Sequence, residues 1–146
     1  MLNPSSQPLV FKRVIEIHAS PQNVWRVITT PKIVNQYYIC PLKDIELKLG
    51  GKIVYASDNQ IFIRGEILEI KEGEKLVHSF IFSPETHENI EDDKPSRVTY
   101  QIKSKGENTE LTLIHDGFES ENQTYANVIG GWDIILKRIE NSFRKE

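Results

Sequence analysis

Cysteine is nearly missing from this chain. Cys40 is the only one among 146 residues, which excludes an internal disulfide and any metal site built from cysteine alone. Long apolar runs are missing too: no stretch approaches the roughly 20 residues that a membrane helix needs. Nor is there a block of Lys or Arg. The 18 basic and 21 acidic residues leave a net charge of −3, without the electrostatic footprint of a nucleic-acid or anionic-membrane binder. The amino terminus, "MLNPSSQPLV", has no basic region followed by an apolar core, so it does not read as a secretory signal. A short frayed tail over residues 1–9 and one domain over residues 10–146 are expected. A reducing cytoplasm is the default compartment. No phosphate-cradling loop, Ser–His–Asp order or zinc spacing is present. The acidic run "ETHENIEDDK" lacks the glycine and fixed ligand spacing of an EF-hand and reads as a solvated loop.

What the chain does have is ordinary globular composition, 38% hydrophobic and 27% charged, and two clear periodicities. "VFKRVIEIH" alternates as a strand, with Phe11, Ile15 and Ile17 on one face. Ser20 then offers an N-cap and Pro21 a first helical position for a helix with Val24, Trp25 and Ile28 as its apolar stripe. Thr30-Pro31 repeats the signal for a second short helix, "KIVNQYY". From Asp44 to His115 the period is two. "DIELKL", "KIVYA", "IFIRGEILEIK", "KLVHSFIF", "SRVTYQIKS" and "TELTLIH" are six strand candidates separated by Gly-, Asn- and Asp-containing turns. Gly65, inside the longest strand, is a candidate bulge.

The chain closes on "YANVIGGWDIILKRIENSF". Tyr125, Val128, Ile129, Trp132, Leu136, Ile139 and Phe143 share one helical face, and Ser120 and Gln123 stand in capping-box relation before it. Gly130 and Gly131 interrupt this helix although each glycine costs about 1 kcal/mol relative to alanine. Gly131 falls on the flank of the stripe and Gly130 nearly opposite it, where a kink is the expected reason for it. The predicted fold is α+β: a seven-stranded curved antiparallel sheet (β-α-α-β6-α) wrapped around a long carboxy-terminal helix.

One face of the meander carries Ile45, Leu47, Leu49, Ile53, Tyr55, Leu76, His78, Phe80, Phe82, Val98, Tyr100, Ile102, Leu111, Leu113 and His115. A tight "KGEN" turn places Tyr100 opposite Leu113 and Val98 opposite His115. His78 and His115 then stand two strands apart, too far to share a metal. Either they hydrogen-bond the polar end of a ligand in an apolar pocket, or each is a core histidine satisfied by backbone or water. His115 and Asp116 point to opposite faces and form no acid–base dyad. Cys40 lacks a basic neighbour or helix start that would activate it.

"ASPQNVWRVIT", "GGKIV", "GEILEI…EKLVHSF" and "GGWDIILKRIE", in this order, resemble the small proteins similar to the carboxy-terminal domain of the activator of the heat-shock-protein-90 ATPase. That family lies within the START-like, birch-pollen-allergen-like helix-grip superfamily. The resemblance runs from Phe11 to Phe143. It implies a cavity between sheet and long helix that takes apolar, aromatic or lipid-like ligands. Some relatives are polyketide cyclases or aromatases, and others carry lipids. Tyr37-Tyr38 replaces the usual tryptophan-rich step at the cavity mouth. The co-chaperone itself has a separate amino-terminal domain, for which this chain leaves no room. The expectation is therefore a cytoplasmic small-molecule binding protein, monomeric or a weak homodimer, without cofactor or metal. Its pocket is expected to use Tyr55, His78, Phe80, Tyr100, Leu113, His115, Val128 and Trp132. A cyclase-, aromatase- or hydrolase-like enzyme using His78, Tyr100 or His115 as acid or base is the alternative, and a chaperone-associated adaptor is a further one.

Overall fold

The computed structural model describes residues 9–57, 60–83, 94–118 and 123–143. The chain runs β1 (Phe11–Ile17), α1 (Pro21–Thr29), α2 (Pro31–Val34), β2 (Leu42–Ile45), β3 (Lys52–Ser57), β4 (Gln60–Lys71), β5 (Lys75–Phe82), β6 (Ser96–Lys105), β7 (Asn108–Asp116) and α3 (Gln123–Ser142). All strands join one antiparallel sheet in the order β1-β7-β6-β5-β4-β3-β2. The sheet curls, and α3 covers its apolar side. The tail (apart from Leu9), Ser120 and most of the acidic loop lie outside the described residues.

Local chemistry sets the helix starts. The Ser20 side chain accepts from the Asn23 N–H at 3.2 Å, and Pro21 follows without a donor to lose. The second helix is shorter than "KIVNQYY" suggests, ending at Val34. Beyond it the side chains take over: Asn35 Oδ1 accepts from the Leu42 N–H at 2.8 Å, and the Tyr37 hydroxyl donates to the Val27 carbonyl at 3.0 Å. These bonds fold residues 35–38 into turns against α1.

The sheet register follows the turn chemistry. Gly106, at φ +63°, closes the β6–β7 hairpin and sets Val98 opposite His115 and Tyr100 opposite Leu113, as the sequence predicts. Two strand expectations need correction. The run "DIELKL" pairs only as far as Ile45, because Lys48 N–H donates to Glu46 O, Gly51 N–H to Lys48 O and Gly50 N–H to Ile67 O. Leu47 and Leu49 therefore leave the concave face and are 46% and 71% exposed. Gly65 is no bulge on the β3 side, where it pairs in register with Ile53. Toward β5 it is a point of close approach. A Cβ there would overlap the Ser79 carbonyl oxygen, and Glu66 N–H bonds the Ser79 hydroxyl at 2.9 Å instead of a ladder partner. The register shift of that pair falls between Ile67 and Glu69.

The core sits between the concave face and the helices. Val128, Trp132, Ile135, Leu136 and Ile139 of α3 are buried, while Ile134 on the opposite side is 49% exposed. Arg13 of β1 and Asp133 of α3 pair at 3.0 Å, and Arg138 donates to the Tyr37 carbonyl at 3.2 Å. These bonds tie the middle of α3 to β1 and its second half to the segment after α2. The helix is unbroken through Gly130 and Gly131. No helix among the described residues is long and apolar enough to cross a membrane.

Candidate functional site between helix and sheet

His115 stands on β7 and is fully buried. Trp132 Nε1–H donates to its Nδ1 at 2.9 Å. That assigns the ring proton to Nε2, which donates to Ser96 Oγ at 2.7 Å. The Ser96 hydroxyl in turn donates to the Phe80 carbonyl at 3.2 Å. The relay joins α3, β7, β6 and β5 and satisfies every polar atom in it. Phe118 stacks on the imidazole at 4.8 Å, and Phe80 meets it edge-on at 4.8 Å. Burial, with the nearby His78 adding to it, pushes the His115 pKa down to about 3. His115 thus has no free nitrogen for a ligand, and its partners are the side chains of Trp132 and Ser96. Ser96 is the residue that sequence reasoning missed. Its signal was available, since it precedes Val98 by two positions and so shares the face of His115's partner.

His78 is also buried but has a different fate. Its Nδ1 lies 2.8 Å from the Ser79 carbonyl, which can only accept, so Nδ1 carries the proton. Nε2 is left with a lone pair, and it is the one buried side-chain polar atom without a partner among the described residues. Burial lowers the pKa to about 4, against a smaller opposing effect from the Ser79 bond. The Tyr100 ring lies 6.1 Å away, and Tyr100 also meets Trp132 edge-on at 6.3 Å. Burial raises the Tyr100 phenol above its ordinary range. Tyr55 is buried and stacks on Tyr38 at 4.6 Å, and Tyr38 in turn meets Trp132 edge-on at 6.1 Å. Leu113 is fully buried opposite Tyr100.

A pocket opens where α3 meets the sheet, lined by Tyr38, Ile39, Ile63, Phe80, Phe82, Val128, Gly131, Trp132 and Ile135. Its volume is about 20 Å³. That holds one water, which needs about 10–15 Å³, and falls far below the roughly 300–1,000 Å³ of a ligand site. At this junction the opening is therefore smaller than the expected ligand-sized cavity. Of the expected lining residues, Phe80, Val128 and Trp132 reach the pocket. Tyr55, His78, Tyr100, Leu113 and His115 are packed behind it. Phe82, on the predicted concave face though not among the expected pocket residues, also lines it, and Ile63, which the sequence reading missed, faces Phe82 across β4 and β5. At the rim Ile39 is 55% exposed, and a Cβ on Gly131 would stand 3.8 Å from Ile39 Cδ1, an ordinary contact.

The remaining candidates add no chemistry. Burial pushes the Cys40 thiol up to about 12, which suppresses the thiolate. Among the described residues no three His, Cys, Asp or Glu side chains gather in a metal-binding group.

Comparison with known proteins agrees with this architecture. The family described as "Activator of Hsp90 ATPase homolog 1-like protein" matches residues 18–144. Among curated proteins, none matches the chain. The fold is shared with PFC0360w, an HSP90 activator from Plasmodium falciparum, at TM-score 0.75 and 22% identity over 94% of this chain and 99% of that one. Protein Ms6760 from Mycobacterium smegmatis is similar at TM-score 0.78 and 18% identity, over 95% and 93% of the two chains. The Aha1 dimer from Colwellia psychrerythraea gives TM-score 0.71 and 13% identity over 92% and 96%. At these low identities the structural likeness shows the fold alone, while the family match covers most of the sequence. The chain belongs to the Activator of Hsp90 ATPase homolog 1-like protein family.

Proposed function

We propose that this protein binds a hydrophobic, aromatic or lipid-like small molecule between α3 and the concave face of the sheet. The observation that carries the reading is the apolar pocket at that junction, walled by Phe80, Phe82 and Trp132 and open beside Ile39 and Gly131. Uptake needs the pocket to widen. Two adjacent glycines weaken α3 at the pocket rim, where bending would admit a ligand. The protein works in the cytoplasm as a monomer or weak homodimer; the Aha1 dimer of similar fold is the precedent for pairing.

Catalysis by the three buried polar residues is disfavoured on chemical grounds. General acids and bases work best with pKa values near the operating pH. His78 and His115 are held down to about 4 and about 3, and the Tyr100 phenol is raised. A chaperone-associated adaptor is the second reading. It is favoured by the likeness to an HSP90 activator whose chain is covered to 99%.

The test uses naphthalene as the probe, followed by quenching of tryptophan fluorescence. Wild type is expected to bind it, and Gly131→Leu, which fills the mouth, should bind at least about tenfold more weakly while melting no lower than wild type. Absence of binding by wild type, or equal binding by the folded variant, would sink the proposal.

A further inference from the structure

We infer that His78 Nε2 is the polar anchor of the site and selects ligands with a neutral hydroxyl head, a phenol or alcohol, over carboxylates and over hydroxyl-free analogues. The inference rests on the binding site proposed above and names the ligand class it takes.

Tautomer and position carry the argument. The Ser79 carbonyl takes the proton-bearing Nδ1, so Nε2 is an acceptor and can be satisfied only by a donor. It is 2% exposed and has no protein partner among the described residues, whereas both nitrogens of His115 on the same face are bonded. Buried polar atoms are nearly always paired, and an exception points to a group from outside the chain. His78 precedes the pocket-lining Phe80 by two residues on the same face, roughly 7 Å along the strand. A fused two-ring aromatic lying past Phe80 spans that distance and brings its substituent to Nε2.

The surroundings exclude an anion. No Lys or Arg is among the buried residues described, so a carboxylate on this face would lose its water without gaining a counter-ion. A ketone or ester oxygen is an acceptor facing an acceptor. A neutral hydroxyl costs far less to bury than an anion, and it supplies the missing donor.

The experiment titrates wild type and His78→Phe with naphthalene, 2-naphthol and 2-naphthoate by calorimetry, and follows the imidazole nitrogens of histidine-labelled protein by NMR. Wild type should bind 2-naphthol on the order of tenfold more tightly than naphthalene, the value of one buried hydrogen bond, and 2-naphthoate more weakly than either. His78→Phe should bind naphthalene and 2-naphthol alike. The His78 Nε2 resonance should move with 2-naphthol and stay with naphthalene. Equal wild-type affinity for naphthalene and 2-naphthol, or an Nε2-protonated His78 in the free protein, overturns the inference and leaves the pocket reading standing. Failure of all three compounds to bind overturns both. If His78→Phe is unfolded, the nitrogen resonance of wild type decides the matter alone.

Discussion

Replacing both glycines of α3 by alanine should stabilise the protein, and the structure allows the size of the effect to be worked out. Gly130 and Gly131 have ordinary helical backbone; the described glycines with positive φ are Gly50, Gly73, Gly106 and Gly117. A Cβ on Gly130 meets nothing within 4 Å. One on Gly131 meets only Ile39 Cδ1 at 3.8 Å, ordinary contact. Neither site therefore opposes the intrinsic preference for alanine, about 1 kcal/mol per position in a helix interior. The double variant should gain about 2 kcal/mol. For a chain of this length that corresponds to a rise of about 6 °C in melting temperature. Urea denaturation followed by circular dichroism measures the first quantity, and a thermal scan the second. If the glycines are kept because the helix must yield to admit a ligand, the same variant should take up naphthalene more slowly and more weakly. A destabilised double variant would refute the packing argument. A stabilised one with unchanged uptake would refute the functional role given to the glycine pair.

Trp132→Ala should cost about 3–5 kcal/mol, the range for a large aromatic removed from a core, while Ile134→Ala, on the 49% exposed side of the same helix, should cost within about 0.5 kcal/mol; equal losses in urea titration would show the helix phase to be wrong. Stability should also fall with acid. Both buried histidines have folded pKa values below the ordinary 6.5, so from about pH 6.5 down to about 4 the unfolded chain binds protons that the native one refuses, and each histidine costs on the order of 1 kcal/mol per pH unit. A denaturation midpoint that is flat between pH 7 and pH 5 would contradict this, and His78→Phe should roughly halve the slope. Incubation of wild type with 2-naphthol should leave the compound unchanged by mass spectrometry; a product that disappears in His78→Phe or His115→Phe would install that histidine as general acid or base.

Much of this fold was legible because its signals are local. The hairpin at Gly106 is set by two loop residues, and it fixes the Val98–His115 and Tyr100–Leu113 pairs without further information. Ser20 and Pro21 start α1 by chemistry confined to one turn. The errors lie where a distant backbone decides. The alternation of "DIELKL" continues past Ile45, but the Gly50 N–H bonds the Ile67 carbonyl, and that turn sends Leu47 and Leu49 outward. Gly65 reads as a bulge from its own strand, yet what excludes a Cβ there is the carbonyl of Ser79 on the neighbouring one. The site divides in the same way. Strand alternation puts Phe80 on the concave face and helical spacing puts Val128 and Trp132 on the face of α3 that meets it. Neither pattern says how deep α3 sits, and depth decides whether the face encloses a ligand-sized cavity or a pocket of about 20 Å³.

Depth is set by the Trp132–His115–Ser96 relay. A tryptophan N–H that reaches an imidazole at 2.9 Å holds α3 against β7 with a directional bond, and breaking it would leave two buried polar groups unpaired. The relay thus resists opening at one point on the helix, while Gly130 and Gly131, immediately before Trp132, offer the least resistance to bending. Movement is then easiest on the amino-terminal side of Trp132, where Val128 and Gly131 line the pocket. The two histidines on this face accordingly divide the work. His115 fixes the helix, and its nitrogens are used up in doing so. His78, one strand beyond β6, keeps an Nε2 lone pair without a partner among the described residues, and the proposed ligand reaches it only if the helix yields.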